Sequence, residues 1–124
     1  MEYENLYKDF LEAVPECKKF CAEKVKENSL DDESGQHILF GLAVIPFIKQ
    51  AALNKDEIVL NKIFEFMERM ALAENEDVKI CEVLDFTVLE QIQDEVDEIY
   101  NECKKHMREN TLEDLERVSE YIFR

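Results

Sequence analysis

Glycine and proline occur only twice each in 124 residues. Both are far below their usual share, and a β protein with many tight turns needs more turn residues than that. Bases are scarce as well, 15 against 30 acids, for a net charge of −15. Nucleic acids and anionic membranes are polyanions that select basic surfaces, so neither is expected as a partner. A charged partner, where there is one, should be a basic protein. The main apolar run, Ile38 to Ile48 (ILFGLAVIPFI), has eleven residues without a charged or hydrogen-bonding side chain. Crossing a bilayer takes about 20, so the run reads as a core helix wrapped by others. The amino terminus, MEYENLYKDF, carries acids from its second residue and has no apolar centre. It does not read as a secretory signal, and a cytoplasmic location is expected.

Metal and catalytic signatures are missing in the same way. Cysteines stand at 17, 21, 81 and 103, reduced in a cytosol, and no C-x2-C pair marks a zinc site. Cys17 and Cys21 share a stripe with Phe20 and Val25 and read as small buried hydrophobes; Cys103 with His106 is the one further ligand pair to consider. The acids of NSLDDESG (28–35) do not follow the calcium-loop spacing. A di-iron bundle needs Glu-x-x-His, whereas Glu33/His37 and Glu102/His106 are spaced by four. There is no nucleophile elbow and no phosphate-binding glycine loop. No enzyme, cofactor or metal is expected, and His37 reads as a hydrogen-bonded structural residue.

What is present is helical period. The 46% hydrophobic content supports a core, and the length suits one domain spanning 1–124. Tyr3, Leu6, Tyr7, Phe10, Leu11 and Val14 follow the i, i+3, i+4, i+7 series, and Pro15 predicts two short helices meeting at Val14. After the 28–35 loop, Gln36 to Leu53 is a helix in which Pro46 predicts a break near Val44 to Pro46. Asn54 with Glu57 resembles a cap with a reciprocal acid, opening a helix from Lys55 to Ala73. Apolar on two sides, through Leu60, Ile63, Phe64 and Met67 and through Val59, Phe66 and Met70, it should lie between other helices.

Glu74 to Asp77 form a polar hinge, then Val78, Ile80, Cys81, Val83, Leu84 and Phe86 a buried segment. From Asp85, a candidate cap at a corner, the stripe runs through Val88, Leu89, Ile92, Val96, Ile99, Tyr100, Cys103 and Met107. Thr111 caps a last helix closed onto the core by Leu112, Leu115, Val118 and Ile122. The fold class is all-α: a compact bundle of six or seven helices, or their arrangement as two-layer stacked helical hairpins.

Charge is placed unevenly. Residues 1–64 hold 12 acids and 8 bases, residues 65–124 hold 18 and 7, for net charges of −4 and −11. Glu90, Asp94, Glu98 and Glu102 fall in one i, i+4 row on the helix expected after Asp85, with Asp97 beside them. Like charges at that spacing cost a few tenths of a kcal/mol each, which a sequence selected for stability alone would avoid by interleaving lysines. The row reads either as a solubilising face of a small acidic protein or as a docking face for a basic partner. On the docking reading, the partner-binding residues are Glu90, Asp94, Asp97, Glu98 and Glu102, facing outward toward a basic protein.

The stretch LNKIFEFMERMALAENEDVKICEVLDFTVLEQI, with Pro46 before it, resembles small, acidic, helical bacterial proteins among the immunity proteins of polymorphic toxin and contact-dependent inhibition systems. The resemblance covers about Pro46 to Ile92 and rests on Ile63-Phe64-x-Phe66-x-Glu68-x-Met70, Val78 and Leu89-Glu90. It implies a cognate inhibitor of a toxin domain, many such toxins being nucleases with basic clefts. It transfers no site residues, so the acidic face stands on charge alone. The alternative is a structural or regulatory adaptor that binds a partner helix, which needs a contiguous exposed apolar patch.

Overall fold

The first amphipathic stretch folds as α1 (Leu6–Ala13) and stops at Val14, whose φ of −127° and ψ of 70° leave the α region ahead of proline. Pro15 opens one 3-10 turn, Pro15–Cys17, that leads into α2 (Lys18–Glu27), so two short helices meet at Val14 as expected. The computed structural model describes residues 1–31 and 33–122, with only the backbone for 121 and 122. Among these residues there are seven helices and no strand. The 28–35 loop is tied by its own acid: Asp31 Oδ1 accepts the Glu33 N–H at 2.8 Å. Asp32 lies outside the described residues.

α3 (Gln36–Leu53) runs through its proline. The expected break near Val44 to Pro46 is replaced by a π turn, Phe40–Val44, in which the Ile45 N–H reaches the carbonyl of Phe40, five residues back. The wider turn accommodates the proline ring and its missing donor without stopping the helix. The Ile38–Ile48 run is also not enclosed on all sides. Phe40, Ala43, Val44 and Ile48 are buried, but Ile38 is 48% and Leu42 43% exposed. Helical geometry turns these two to the side of α3 that no neighbour covers. The helix is long and apolar enough by length and composition to cross a membrane, yet half of it is buried within the bundle.

α4 (Glu57–Leu72) begins two residues later than its sequence pattern implied. Lys55 takes a left-handed φ of 51°, and the N–H groups of Lys55 and Asp56 close back on the carbonyls of Ala52 and Ala51, both at 3.1 Å. Asn54 and Lys55 thus finish α3, and Asp56, not Asn54, caps α4 by accepting the Val59 N–H at 3.2 Å. Both faces of α4 are buried, and it packs against α1, α3 and the three helices that follow it. Phe10 of α1 meets Phe40 of α3 and Phe66 of α4 edge to face, at 5.8 and 5.3 Å, geometry that aromatic quadrupoles favour. The architecture is a bundle around α4.

α5 spans 78–93 and contains a second π turn, Val83–Leu89. Asp85 is no cap and there is no corner: it is buried inside this turn, while Val78 and Phe86, expected to be buried, are 57% and 56% exposed. Asp77 caps the helix instead, accepting the Lys79 N–H at 3.0 Å. Nor does the helix continue to Met107. It ends at Gln93, Val96 is extended with ψ 152°, and α6 (Asp97–His106) starts afresh. Val96, placed in the core stripe by period, sits in the break and is 63% exposed.

α7 (Glu109–Ile122) is capped from another helix. Thr111 lies inside its first turn rather than at the cap, and the acceptor is Glu68 of α4. Glu68 Oε1 takes the N–H and the hydroxyl of Thr111, both at 2.9 Å, and Oε2 takes the N–H and the amide of Asn110 at 3.1 and 2.7 Å. Leu115 and Val118 are buried; the side chain of Ile122 lies outside the described residues.

Two outcomes follow for stability. Phe40→Ala should cost about 3–5 kcal/mol in urea denaturation. Burial works against ionisation of Glu68, but its bonds to Asn110 and Thr111 outweigh that and hold its pKa below the ordinary 4.5. A depressed carboxylate stabilises the fold above its unfolded pKa and loses that contribution as pH falls through the folded value. Glu68→Gln should therefore cost about 2 kcal/mol at neutral pH, and the gap to wild type should close as pH drops below 4.5.

Candidate functional site

The break between α5 and α6 redraws the acidic face. Asp94 closes α5, Asp97 and Glu98 open α6, and all three are exposed around Val96. The i, i+4 row ends at Asp94, because the turn at 94–96 rotates the second helix away from the first. Glu90 is half-buried. Glu102 leaves the face altogether: it is 8% exposed, 3.1 Å from Lys105 Nζ and 3.7 Å from His106 Nε2. The Lys105 bond, chiefly, lowers its pKa. Lys49 of α3 pairs with Glu95 at the same break. What remains is an acidic corner of Asp94, Asp97 and Glu98 with an exposed valine at its centre.

A second constellation lies inside, between α5 and α7. Cys81 and Asp85 are one turn apart on α5, and Asp114 faces them from α7. Their exposures are 3%, 9% and 6%. Cys81 Sγ is 3.7 Å from Asp85 Oδ2 and 3.9 Å from Asp114 Oδ2. Arg117 lies over the pair, donating from Nη2 to Asp85 Oδ2 at 3.2 Å and to Asp114 Oδ1 at 2.7 Å. Among the described residues, Asp85 Oδ1 is buried and has no hydrogen-bond partner.

Burial dominates the electrostatics here. It raises Asp114 to about 6, the neighbouring Asp85 charge adding to the effect. It raises Asp85 too, against the pull of Arg117. It pushes the Cys81 thiol up to about 12, with both carboxylates contributing. Cys81 is therefore a thiol rather than a nucleophilic thiolate. A recess of about 240 Å³ opens beside the cluster, lined by Asp85, Phe86, Glu90, Arg117 and Val118. The larger hollow, about 460 Å³ beside Phe20, Phe47 and Val59, holds none of the four groups of this cluster, which makes it the weaker candidate for a site.

A family model described as a domain of unknown function, DUF7674, matches residues 7–122. The chain belongs to the DUF7674 family. The match takes in both the acidic corner and the buried cluster. No curated protein and no solved structure matches the chain.

The remaining expected residues have structural roles. His37 Nδ1 lies 2.6 Å from Thr87 Oγ1, as a hydrogen-bonded residue should, and His106 Nδ1 lies 2.9 Å from Asn61 Oδ1. All four cysteines are free and buried, as expected of small hydrophobes. The buried cluster was missed in sequence because its members lie 33 residues apart. A signal was nonetheless present: Asp85 falls in phase with Cys81, Leu84 and Val88, and Asp114 in phase with Thr111 and Val118. Acids at core positions demand a partner. Arg117→Met should cost about 1–2 kcal/mol, less than a fully buried pair, because the Arg117 side chain is 55% exposed; thermal denaturation measures it.

Proposed function

We propose that this chain is a non-enzymatic protein-binding domain that captures a basic protein, in the manner of an immunity protein neutralising its toxin. The observation that carries this reading is the exposed acidic corner, Asp94, Asp97 and Glu98 around Val96, within the half of the chain that holds 18 acids and 7 bases. An apolar centre with an acidic rim suits a partner surface rich in lysine and arginine, such as the substrate cleft of a nuclease toxin. Charge of this sign would raise the association rate by about tenfold or more at low salt. On this reading the protein works in the bacterial cytoplasm, and Glu90 borders the contact.

The adaptor reading has one observation in its favour. Ile38 and Leu42 lie one turn apart on α3 and Phe86 lies on α5, all three exposed. They border the seam where these helices meet through His37 and Thr87.

The two readings separate in one experiment with a candidate basic toxin domain as the binding partner. Asp94, Asp97 and Glu98 together changed to Lys should weaken binding at least about tenfold and flatten its salt dependence, while Leu42→Glu with Phe86→Glu changes it little. Unchanged affinity and salt slope in the charge-reversed protein would reject the acidic corner, and loss of binding in the Leu42/Phe86 variant would favour the adaptor.

A further inference from the structure

We propose that Cys81, Asp85 and Asp114 form a binding site for a single divalent transition metal, zinc above all, reached through the recess beside Phe86 and Val118. The donors are already gathered: one atom from each residue lies within 4.8 Å of the other two. A tetrahedral zinc with bonds of about 2.0–2.3 Å places sulfur and oxygen ligands roughly 3.5 Å apart. The 3.7 and 3.9 Å from Cys81 Sγ to the two carboxylates need to close by only a few tenths of an ångström.

A second feature points to a missing ligand. Asp85 is nine-tenths buried, yet among the described residues its Oδ1 has no hydrogen-bond partner. A buried carboxylate oxygen left unpaired carries a desolvation cost of about 1–3 kcal/mol or more. Bidentate contact with a metal, or a water held on the metal, would satisfy it. Arg117 does not do so, since both of its bonds go to Asp85 Oδ2 and Asp114 Oδ1.

The donor types choose the metal. Thiolate favours zinc, whereas calcium and magnesium prefer sites built of oxygen alone. Charge also balances: one thiolate and two carboxylates against Arg117 and a dication sum to zero, which a buried site requires. On binding, the Cys81 S–H bond breaks, its proton passes to solvent and the sulfur electron pair forms the bond to the metal. Arg117 keeps its bond to Asp114 Oδ1 from the solvent side, and water entering through the recess supplies the open position. The ion would tie α5 to α7.

The test uses the full chain, reduced and stripped with chelator. Titration with Co²⁺ should give one equivalent bound with a near-ultraviolet sulfur-to-cobalt charge-transfer band. Zn²⁺ should displace it, and one equivalent of Zn²⁺ should raise the thermal midpoint. Cys81→Ser should abolish the band, Asp114→Asn should weaken zinc at least about tenfold, and Cys103→Ala should leave both unchanged. Absence of the band in the wild-type protein would overturn the site without recourse to any variant. Zinc affinity that survives both Cys81→Ser and Asp114→Asn would overturn it equally, assigning the metal to the acidic surface.

Discussion

The carboxylate of Glu68 holds the carboxy-terminal half in register. It projects from the central helix and takes four hydrogen bonds from the first turn of α7, supplying acceptors for donors that a helix start leaves unsatisfied. A tether at one end fixes both the height and the rotation of α7 against α4. The packing of Leu115 and Val118 then turns Asp114 and Arg117 toward Cys81 and Asp85. Without that register, the two buried carboxylates would have neither their cation nor each other.

Both apolar helices that flank this arrangement contain a π turn, Phe40–Val44 in α3 and Val83–Leu89 in α5, and they touch along those turns. A π turn admits an extra residue and so shifts the phase of the apolar stripe. In α3 it lets the chain pass a proline. In α5 it spans Asp85, which is buried, and Phe86, which is exposed. A Cβ at Gly41 would sit 3.4 Å from Gln91 Nε2 and 3.6 Å from Thr87 Cγ2, in ordinary van der Waals contact, so the approach of the two helices there does not require a glycine. Unusual backbone and unusual residues coincide here, as they often do near functional sites.

The surplus acid is managed differently outside and inside. At the surface, the break at 94–96 interrupts the row of like charges and Lys49 draws Glu95 into a pair, while Lys105 holds the buried Glu102. Asp94, Asp97 and Glu98 remain free to face solvent. Inside, Asp85 and Asp114 share a single guanidinium. That leaves one negative charge uncompensated in a place where burial is costly, and a metal would supply what Arg117 alone does not.

Much of the fold was legible in the sequence because helical period and proline act locally. Val14 before Pro15, the two apolar faces of the helix around Ile63 and Phe66, and the count of helices all follow from spacing within a few residues. Capping was legible less well. Asn54 and Thr111 look like caps, yet a left-handed Lys55 and a distant Glu68 decided where those helices begin. Period also misled where the backbone changed phase: Val96 and Phe86 fall in apolar stripes and are exposed, and Glu102 falls in an outward row and is buried. The sequence by itself determined an all-helical, strongly acidic chain, since composition and period need no partner to act. Which acids face solvent, and which meet a thiol and an arginine in the interior, only the tertiary structure decided. Burial and pairing are properties of neighbours, and the neighbours of Asp85 lie on another helix.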